Sequence, residues 1–222
     1  MADTTIILGN KTYSSWSLRG WLLLKLSGAD FDEIVIPLDR PETKAELERH
    51  TPAGRVPVLY ADGLTVWDSL AIAEFLHERF PQAGLWPADP EARAVARSVS
   101  AEMHAGFAAL RRLMPMDLRR PPRPAQAPGQ TPGPDSELGA DIARIQEIWH
   151  DCRERFGAGG NFLFGQPCAA DAFFAPVASR FVTYGVPLEP VAAGYRDAIM
   201  SWPVLREWIA AAKEEPWVIE NP

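Results

Sequence analysis

Residues 13–19, Tyr-Ser-Ser-Trp-Ser-Leu-Arg, lie between a short apolar segment at 4–9 and an apolar run that reaches about Leu26. This order predicts a buried strand, a turn and a helix whose first turn carries serine hydroxyls. Free backbone N–H groups and the positive end of a helix dipole meet there, so the position suits an anion such as a thiolate. Serine is also a favoured N-cap residue, and on this stretch alone a plain capping role for Ser14 or Ser15 is the simpler interpretation.

The pattern around this stretch predicts a βαβαββα order that ends near residue 80. One helix separates the first two strands, which makes them parallel. Asp62-Gly63 between two apolar runs predicts a hairpin, and Pro57 at the start of its first strand marks an edge, a bulge or a cis bond. The predicted strands span 4–9, 32–38, 56–60 and 64–67, and the predicted helices span 15–26, 41–49 and 70–76.

The rest of the chain predicts helices alone. Residues 81–90 are rich in proline and predict a linker, so we expect one domain over 1–80 and an all-helical domain over 91–222. The proline-rich segment 114–134 predicts an exposed loop or a lid. Four predicted helices span about 91–113, 136–156, 190–200 and 203–213, and a further buried helix starts near Ala169 and passes through Phe181.

Composition excludes several classes of function. The chain has 222 residues, 47% of them hydrophobic, and a formal net charge of −7 without a basic cluster, which argues against a nucleic-acid partner. Cys152 and Cys168 are far apart and predict free thiols in a reducing compartment. Four histidines without paired spacing argue against a metal site, and no apolar run predicts a leader or a membrane span. We expect a cytoplasmic protein.

Three motifs in the first 80 residues resemble those of the cytosolic glutathione transferases. Ser14-Ser15-Trp16-Ser17-Leu18-Arg19 resembles the serine motif of the zeta class, which commonly has cysteine where this chain has tryptophan. Val56-Pro57-Val58-Leu59 resembles the family's VPxL with its cis proline, and Asp68-Ser69-Leu70-Ala71-Ile72 resembles its glutathione motif. The resemblance implies an α/β plus all-α fold, in which a thioredoxin-like βαβαββα domain precedes a helical bundle. Beyond residue 80 it rests on helix layout and on Asp171, the usual capping-box acid, with Cys168 replacing the hydroxyl residue.

The resemblance also implies a glutathione site in the first domain. The backbone of Val56, freed by the cis Pro57, would pair with the extended tripeptide as a further strand. Ser69 would donate to the γ-glutamyl carboxylate, and Asp68 would accept from the γ-glutamyl amine. Arg55 would meet the glycyl carboxylate, although a solvated surface charge is the commoner role for such an arginine.

By the same resemblance, Ser14 or Ser15 is the catalytic residue that donates a hydrogen bond to the glutathione thiolate. The sequence does not separate the two serines: the family motif favours Ser14, and counting back from Arg19 favours Ser15. The implied pocket for the second substrate uses one residue of the first helix and three of the long helix. These are Trp16, Phe107, Leu110 and Arg111, with core packing as the alternative for the aromatic and leucine side chains.

The leading hypothesis is a homodimeric glutathione transferase that joins the glutathione thiol to a small electrophile, with no metal, nucleic acid or membrane as partner. One alternative is a zeta-like cis–trans isomerase of a maleyl compound, in which glutathione is a returned catalyst. That reaction needs a basic pocket for a dicarboxylate. Another alternative is a non-catalytic protein that keeps the fold for binding or interaction.

Overall fold

The computed structural model describes residues 4–123, 133 and 135–220. Its first part is a four-stranded sheet in the order β2-β1-β3-β4, with β1 parallel to β2 and every other pair antiparallel. This is the predicted thioredoxin-like arrangement, and the βαβαββα prediction is confirmed. The elements are β1 (Thr4–Leu8), α1 (Ser15–Ser27), β2 (Asp32–Val35), α2 (Thr43–His50), β3 (Val58–Ala61), β4 (Leu64–Trp67) and α3 (Ser69–Arg79).

The second part is helical, as predicted. A short 3-10 helix, Pro81–Ala83, lies in the predicted linker, and Asp89 caps the next helix by accepting from the N–H of Ala92 at 2.8 Å. Of the predicted loop 114–134, residues 124–132 and 134 lie outside the described residues, and 114–123 contain no helix or strand. The helices are α4 (Pro90–Ala105), α5 (Ala108–Leu113), α6 (Glu137–Phe156), α7 (Ala169–Tyr184), α8 (Pro190–Ser201) and α9 (Pro203–Glu214).

The prediction of one continuous helix over 91–113 is wrong. α4 ends at Ala105, and Phe107 adopts a left-handed conformation with φ of 59° before α5 begins. The first backbone N–H groups of a helix have no acceptor within the helix. Here the side chain of Asp141 on α6 accepts a hydrogen bond from one of them. Its Oδ2 accepts from the N–H of Leu110 at 2.9 Å. The break therefore depends on a residue about thirty positions away, which periodicity within 91–113 does not reveal.

Helix α1 connects the two parts, since it packs against α3 on one side and α7 and α9 on the other. Gly20 makes its approach to the sheet possible: a Cβ there would lie 2.8 Å from Cγ of Pro57. The Val56–Pro57 peptide is cis, in agreement with the VPxL resemblance. The first turn of α1, residue 57 and the start of α3 are thus brought to one region of the molecule.

Candidate functional site

Ser14 caps helix α1 and both roles of its hydroxyl are occupied. The oxygen accepts from the N–H of Ser17 at 3.2 Å, and the hydroxyl donates to Oγ of Ser17 at 2.8 Å. Oγ of Ser17 also accepts from the N–H of Gly9 at 2.8 Å, which ties the helix start to the end of β1. The Ser14 side chain is therefore part of a closed, buried network.

Ser15 is placed differently, because it lines a cavity of about 290 Å³ between α1 and the second part of the chain. Its hydroxyl makes no hydrogen bond with any residue that the structure describes. We call this space the serine cavity. Its other lining residues are Tyr13, Trp16, Leu38, Arg111, Pro115, Met116, Arg180 and Ile219.

Two buried arginines, Arg19 and Arg180, and the half-buried Arg111 lie beside the serine cavity and form no ion pair with a carboxylate of the described chain. Cζ of Arg19 lies 4.6 Å and Cζ of Arg111 lies 4.8 Å from the centre of the Trp16 ring. Every side-chain nitrogen of Arg19 lacks a hydrogen-bond partner, as do Nη1 of Arg111 and Nη1 of Arg180. Guanidinium N–H groups are obligatory donors, so these unpaired nitrogens indicate room for an anionic ligand.

The remaining contacts of these arginines hold them in place. Arg180 donates from Nε to the carbonyl of Met114 at 2.7 Å. Arg111 donates from Nε to the carbonyl of Gly106 at 3.2 Å and from Nη2 to the carbonyl of Met103, at the break between α4 and α5. Burial, reinforced by the neighbouring Arg111, lowers the pKa of Arg180 to about 9, and burial with Arg111 and Arg180 lowers that of Arg19. Mutual repulsion of this kind is relieved when an anion binds.

A second cavity, of about 370 Å³, lies on the other side of the α1 start and is lined by Ala53, Arg55, Pro57, Trp67 and Asp68. We call it the aspartate cavity. Asp68 has a φ of 76° and caps α3 by accepting from the N–H of Leu70 at 2.8 Å. Ser69 is the buried first residue of α3, and Val56 lies just outside the ladder that begins at Val58.

His104 on α4 joins the two cavities. Its Nε2 lies 3.2 Å from Oδ2 of Asp68, and its Nδ1 lies 3.5 Å from Oγ of Ser69. Its ring meets the ring of Trp16 edge-on, with centroids 5.0 Å apart. Burial lowers the pKa of His104, and Asp68 opposes this shift. A chain of contacts, Trp16–His104–Asp68, therefore runs between the cavities.

The structure brings most of the predicted site residues to these cavities. Arg55, Pro57 and Asp68 line one of them, and Ser15, Trp16 and Arg111 line the other. Phe107 and Leu110 instead belong to the hydrophobic core and line neither cavity, because the break before α5 turns both side chains inward. Sequence reasoning missed His104 and Arg180. The arginine was detectable, since it is the one basic residue in the otherwise apolar run of 169–184.

At the other end of α7, Asp171 is fully enclosed and fully hydrogen-bonded. Oδ2 accepts from the N–H of Cys168 at 2.8 Å, and Oδ1 accepts from the N–H of Leu163 at 3.2 Å and the hydroxyl of Tyr195 at 2.9 Å. Burial nevertheless raises the pKa of Asp171 to about 6. The capping box expected here is formed, with cysteine in the N-cap position.

Two kinds of site are absent from the part of the chain that the structure describes. No group of three or more His, Cys, Asp or Glu side chains is arranged to hold a metal ion there. None of the helices in that part is both long and apolar enough to cross a bilayer.

Comparison with known proteins places this geometry in context. The family model "Glutathione S-transferase, N-terminal domain" matches residues 13–79. A probable maleylacetoacetate isomerase of Caenorhabditis elegans is 34% identical over 118 residues, which are 53% of this chain and 55% of that protein. The chain thus spans about half the length of this relative. A maleylacetoacetate isomerase of Pseudomonas aeruginosa is 26% identical over 216 residues, covering 91% of this chain and 89% of that protein.

Among solved structures, a bacterial maleyl pyruvate isomerase described as a zeta-class glutathione S-transferase is similar over 97% of this chain and all of its own. The TM-score is 0.71 and the sequence identity is 20%. At that identity the likeness establishes the fold, and it covers both the sheet and the helical part.

Proposed function

We propose that this chain, a member of the cytosolic glutathione transferase family near the zeta class, uses the glutathione thiolate to attack a small electrophile that carries carboxylate groups. The observation that carries this proposal is the group of three arginines beside the serine cavity, each with at least one guanidinium nitrogen that lacks a hydrogen-bond partner in the described chain. Glutathione would occupy the aspartate cavity, and the electrophile would occupy the serine cavity.

The aspartate cavity and the residues next to its lining in the sequence, Val56 and Ser69, have the groups that an extended tripeptide requires. Asp68 is 47% exposed at its side chain and can accept from the γ-glutamyl amine, and Ser69 offers donors at the start of α3. Val56, beside the cis proline, offers backbone groups to the cysteinyl peptide. Arg55 lines the same cavity and suits the glycyl carboxylate. A ligand held in this way would direct its sulfur towards the first turn of α1.

At that turn Ser15 is the better donor to sulfur. The Ser14 hydroxyl already donates to Ser17, whereas the Ser15 hydroxyl faces the serine cavity without a partner in the described chain. A free thiol has a pKa of about 8.5, and lowering it by two units requires about 2.7 kcal/mol. One hydrogen bond to a charged acceptor supplies about 1.5 to 3 kcal/mol, so a single hydroxyl near a helix start is sufficient.

The arginines favour isomerisation as the second candidate function, alongside conjugation. In both reactions the thiolate adds to a carbon of an activated double bond, and the electron pair of that bond moves to the conjugated carbonyl as an enolate. Protonation of the enolate carbon gives the thioether conjugate. If the enolate is not protonated, rotation about the former double bond, followed by return of the enolate electron pair and expulsion of the thiolate, gives the trans isomer and returns glutathione. Arg111 and Arg180 would hold the carboxylates and stabilise the enolate charge in either case.

The remaining features are also proposals. The family commonly forms homodimers in the cytoplasm, and we infer the same assembly and location for this chain. A non-catalytic role is disfavoured because the two cavities keep the donors and acceptors that glutathione needs.

A glutathione titration at neutral pH, followed by thiolate absorbance in the ultraviolet, tests the proposal. We expect the wild-type protein to convert bound glutathione to thiolate. Ser15→Ala should keep glutathione binding while the pKa of the bound thiol rises by about one to two units. Ser14→Ala is the matched control, and its thiol pKa should stay close to that of the wild type. Absence of glutathione binding in the wild type would support the non-catalytic alternative instead.

Isomerisation and conjugation are separated by following a maleyl dicarboxylate and glutathione together by proton NMR. An isomerase leaves the glutathione concentration unchanged while the cis alkene signal is replaced by the trans signal. A transferase consumes one glutathione for each alkene lost. Full activity on an uncharged electrophile, with no preference for the carboxylated one, would remove the role we give to the arginines.

A further inference from the structure

The segment that follows α9, residues 215–219, reaches the serine cavity at Ile219. Ile219 lines this cavity together with Ser15, Trp16 and Arg111, although it lies more than a hundred positions from each of them in the sequence. Its neighbour Val218 is 69% exposed and is not among the residues that line this cavity. We call residues 215–219 the post-α9 segment.

Glu215 fastens the start of this segment to the loop before α1. Its Oε1 accepts from the N–H of Lys11 at 2.7 Å, and its Oε2 accepts from the N–H of Thr12 at 3.1 Å. The hydroxyl of Thr12 also lies 3.3 Å from Oε2 and donates to the carbonyl of Ala212 at 2.8 Å. Hydrogen bonds to a charged acceptor are stronger than neutral ones, so this attachment is firm.

Arg119 makes a second attachment to the segment. Its Nη1 donates to the carbonyl of Glu215 at 2.9 Å, and its Nη2 donates to the carbonyl of Trp217. Its guanidinium lies 5.7 Å from the centre of the Tyr13 ring, another lining residue of the serine cavity. The post-α9 segment is therefore held at residues 215 and 217, just before Ile219, which lines the cavity.

We propose that the post-α9 segment is a fixed wall that limits the size of the electrophile, with Ile219 as the residue that determines this limit. The inference rests on the proposed function, because it takes the serine cavity as the place where the electrophile binds. A cavity of about 290 Å³ has little spare room for a bulky substituent. Replacing a branched side chain in its wall by a methyl group opens space for one.

The test uses two electrophiles that share a carboxylate and an activated double bond but differ in bulk, N-methylmaleamic acid and N-phenylmaleamic acid. The quantity is the ratio of kcat/KM for the phenyl compound to that for the methyl compound. We expect Ile219→Ala to raise this ratio about 10-fold. Val218→Ala, the matched control, should leave the ratio at the wild-type value. An unchanged ratio in Ile219→Ala, or an equal rise in Val218→Ala, would overturn the proposal.

A second measurement separates this inference from the proposed function. N-methylsuccinamic acid and N-phenylsuccinamic acid lack the double bond, so calorimetric titration reports binding without reaction. Ile219→Ala should bind the phenyl compound more tightly, relative to the methyl compound, by a similar factor. If the wild type shows no glutathione-dependent turnover but this selectivity shift appears, the proposed function is wrong and the proposed role of Ile219 is supported. If turnover is normal and no selectivity shift appears, only the proposed role of Ile219 is wrong.

The attachment is tested by Glu215→Gln, which keeps the size of the side chain and removes its charge. The amide retains one acceptor oxygen for the N–H groups of Lys11 and Thr12, so the segment is loosened rather than released. We expect the phenyl-to-methyl ratio to shift in the same direction as in Ile219→Ala, by a smaller factor. A ratio equal to that of the wild type would show that the attachment does not set the position of Ile219.

Discussion

Helix α7 carries two buried ionisable groups, one near each end, which differ in how completely they are hydrogen-bonded. Asp171 in the first turn accepts hydrogen bonds from Leu163, Cys168 and Tyr195, and both of its oxygens are engaged. Arg180, more than two turns later, donates to one carbonyl and keeps Nη1 unpaired at the serine cavity. A buried charge with all its partners serves the fold. A buried charge that lacks partners beside a cavity indicates a ligand.

The first turn of α1 repeats this contrast with uncharged groups. Ser14 closes a network with Ser17, whereas Ser15 faces the serine cavity. The two residues are adjacent, equally buried and chemically identical, so only their partners distinguish them. We therefore expect that substituting the residue with a full set of hydrogen bonds in each pair changes stability. Substituting the residue with unpaired groups should change activity instead.

The largest expected effect is at Asp171. Asp171→Asn places an amide NH₂ against a backbone N–H group and removes the charge that accepts from three donors. We expect the free energy of unfolding to fall by about 3 kcal/mol, measured by urea denaturation at neutral pH. Asp151→Asn, an exposed carboxylate on α6, is the control and should change it by less than about 0.5 kcal/mol. Comparable losses of unfolding free energy in Asp171→Asn and Asp151→Asn would contradict the structural role that we give to Asp171.

The next effect is at Arg180, and it should appear in kinetics. Arg180→Met keeps the length of the side chain and removes one of the proposed carboxylate ligands. We expect kcat/KM for a carboxylated electrophile to fall about 100-fold, because one charge-assisted hydrogen bond supplies about 1.5 to 3 kcal/mol. The free energy of unfolding should be unchanged or higher, since an incompletely paired buried cation is removed.

Arg112→Met is the matched control for Arg180→Met. Arg112 follows Arg111 directly in the chain, but its side chain is 62% exposed and pairs with Glu137 at 2.9 Å. Both kcat/KM and stability should remain near wild-type values in this variant. A loss of stability in Arg180→Met with normal kinetics would mean that Arg180, like Asp171, serves the fold and not ligand binding.

The smallest effect is at the start of α1. Ser14→Ala removes the N-cap and should lower the free energy of unfolding by about 1 kcal/mol. Ser15→Ala breaks no hydrogen bond in the described chain and should leave stability within about 0.5 kcal/mol of wild type. Thermal unfolding of the two variants side by side is the measurement. A reversed order would assign the capping role to Ser15.

Much of the first part of the fold was predictable because its signals are local. The Asp62-Gly63 hairpin, the helix that begins at Ser69 and the proline before β3 each depend on residues within a few positions of one another. The proposed glutathione side of the site follows from the same motifs and the residue before one of them, and the predicted residues Arg55, Pro57 and Asp68 line one cavity.

The other side of the site depends on contacts between distant positions. The break before α5 requires Asp141 of α6, and the serine cavity requires Arg180 of α7 and Ile219 after α9. Periodicity records which face of a helix is apolar, but it does not record which helix lies opposite. For this reason Phe107 and Leu110 were nominated for the pocket although the structure places them in the core.

The loop that presents Ser15 has a consequence for how the protein is made. Lys11 accepts from the indole N–H of Trp208 at 3.0 Å, Thr12 donates to Ala212, and both backbone N–H groups bind Glu215. A ribosome completes the first eighty residues long before it reaches these partners, and synthesis proceeds from the N-terminus. The sheet can form early, but the loop beside it can form its hydrogen bonds to Trp208, Ala212 and Glu215 only after α9 and the residue that follows it have emerged. The proposed catalytic site is therefore among the last parts of the nascent chain to be completed.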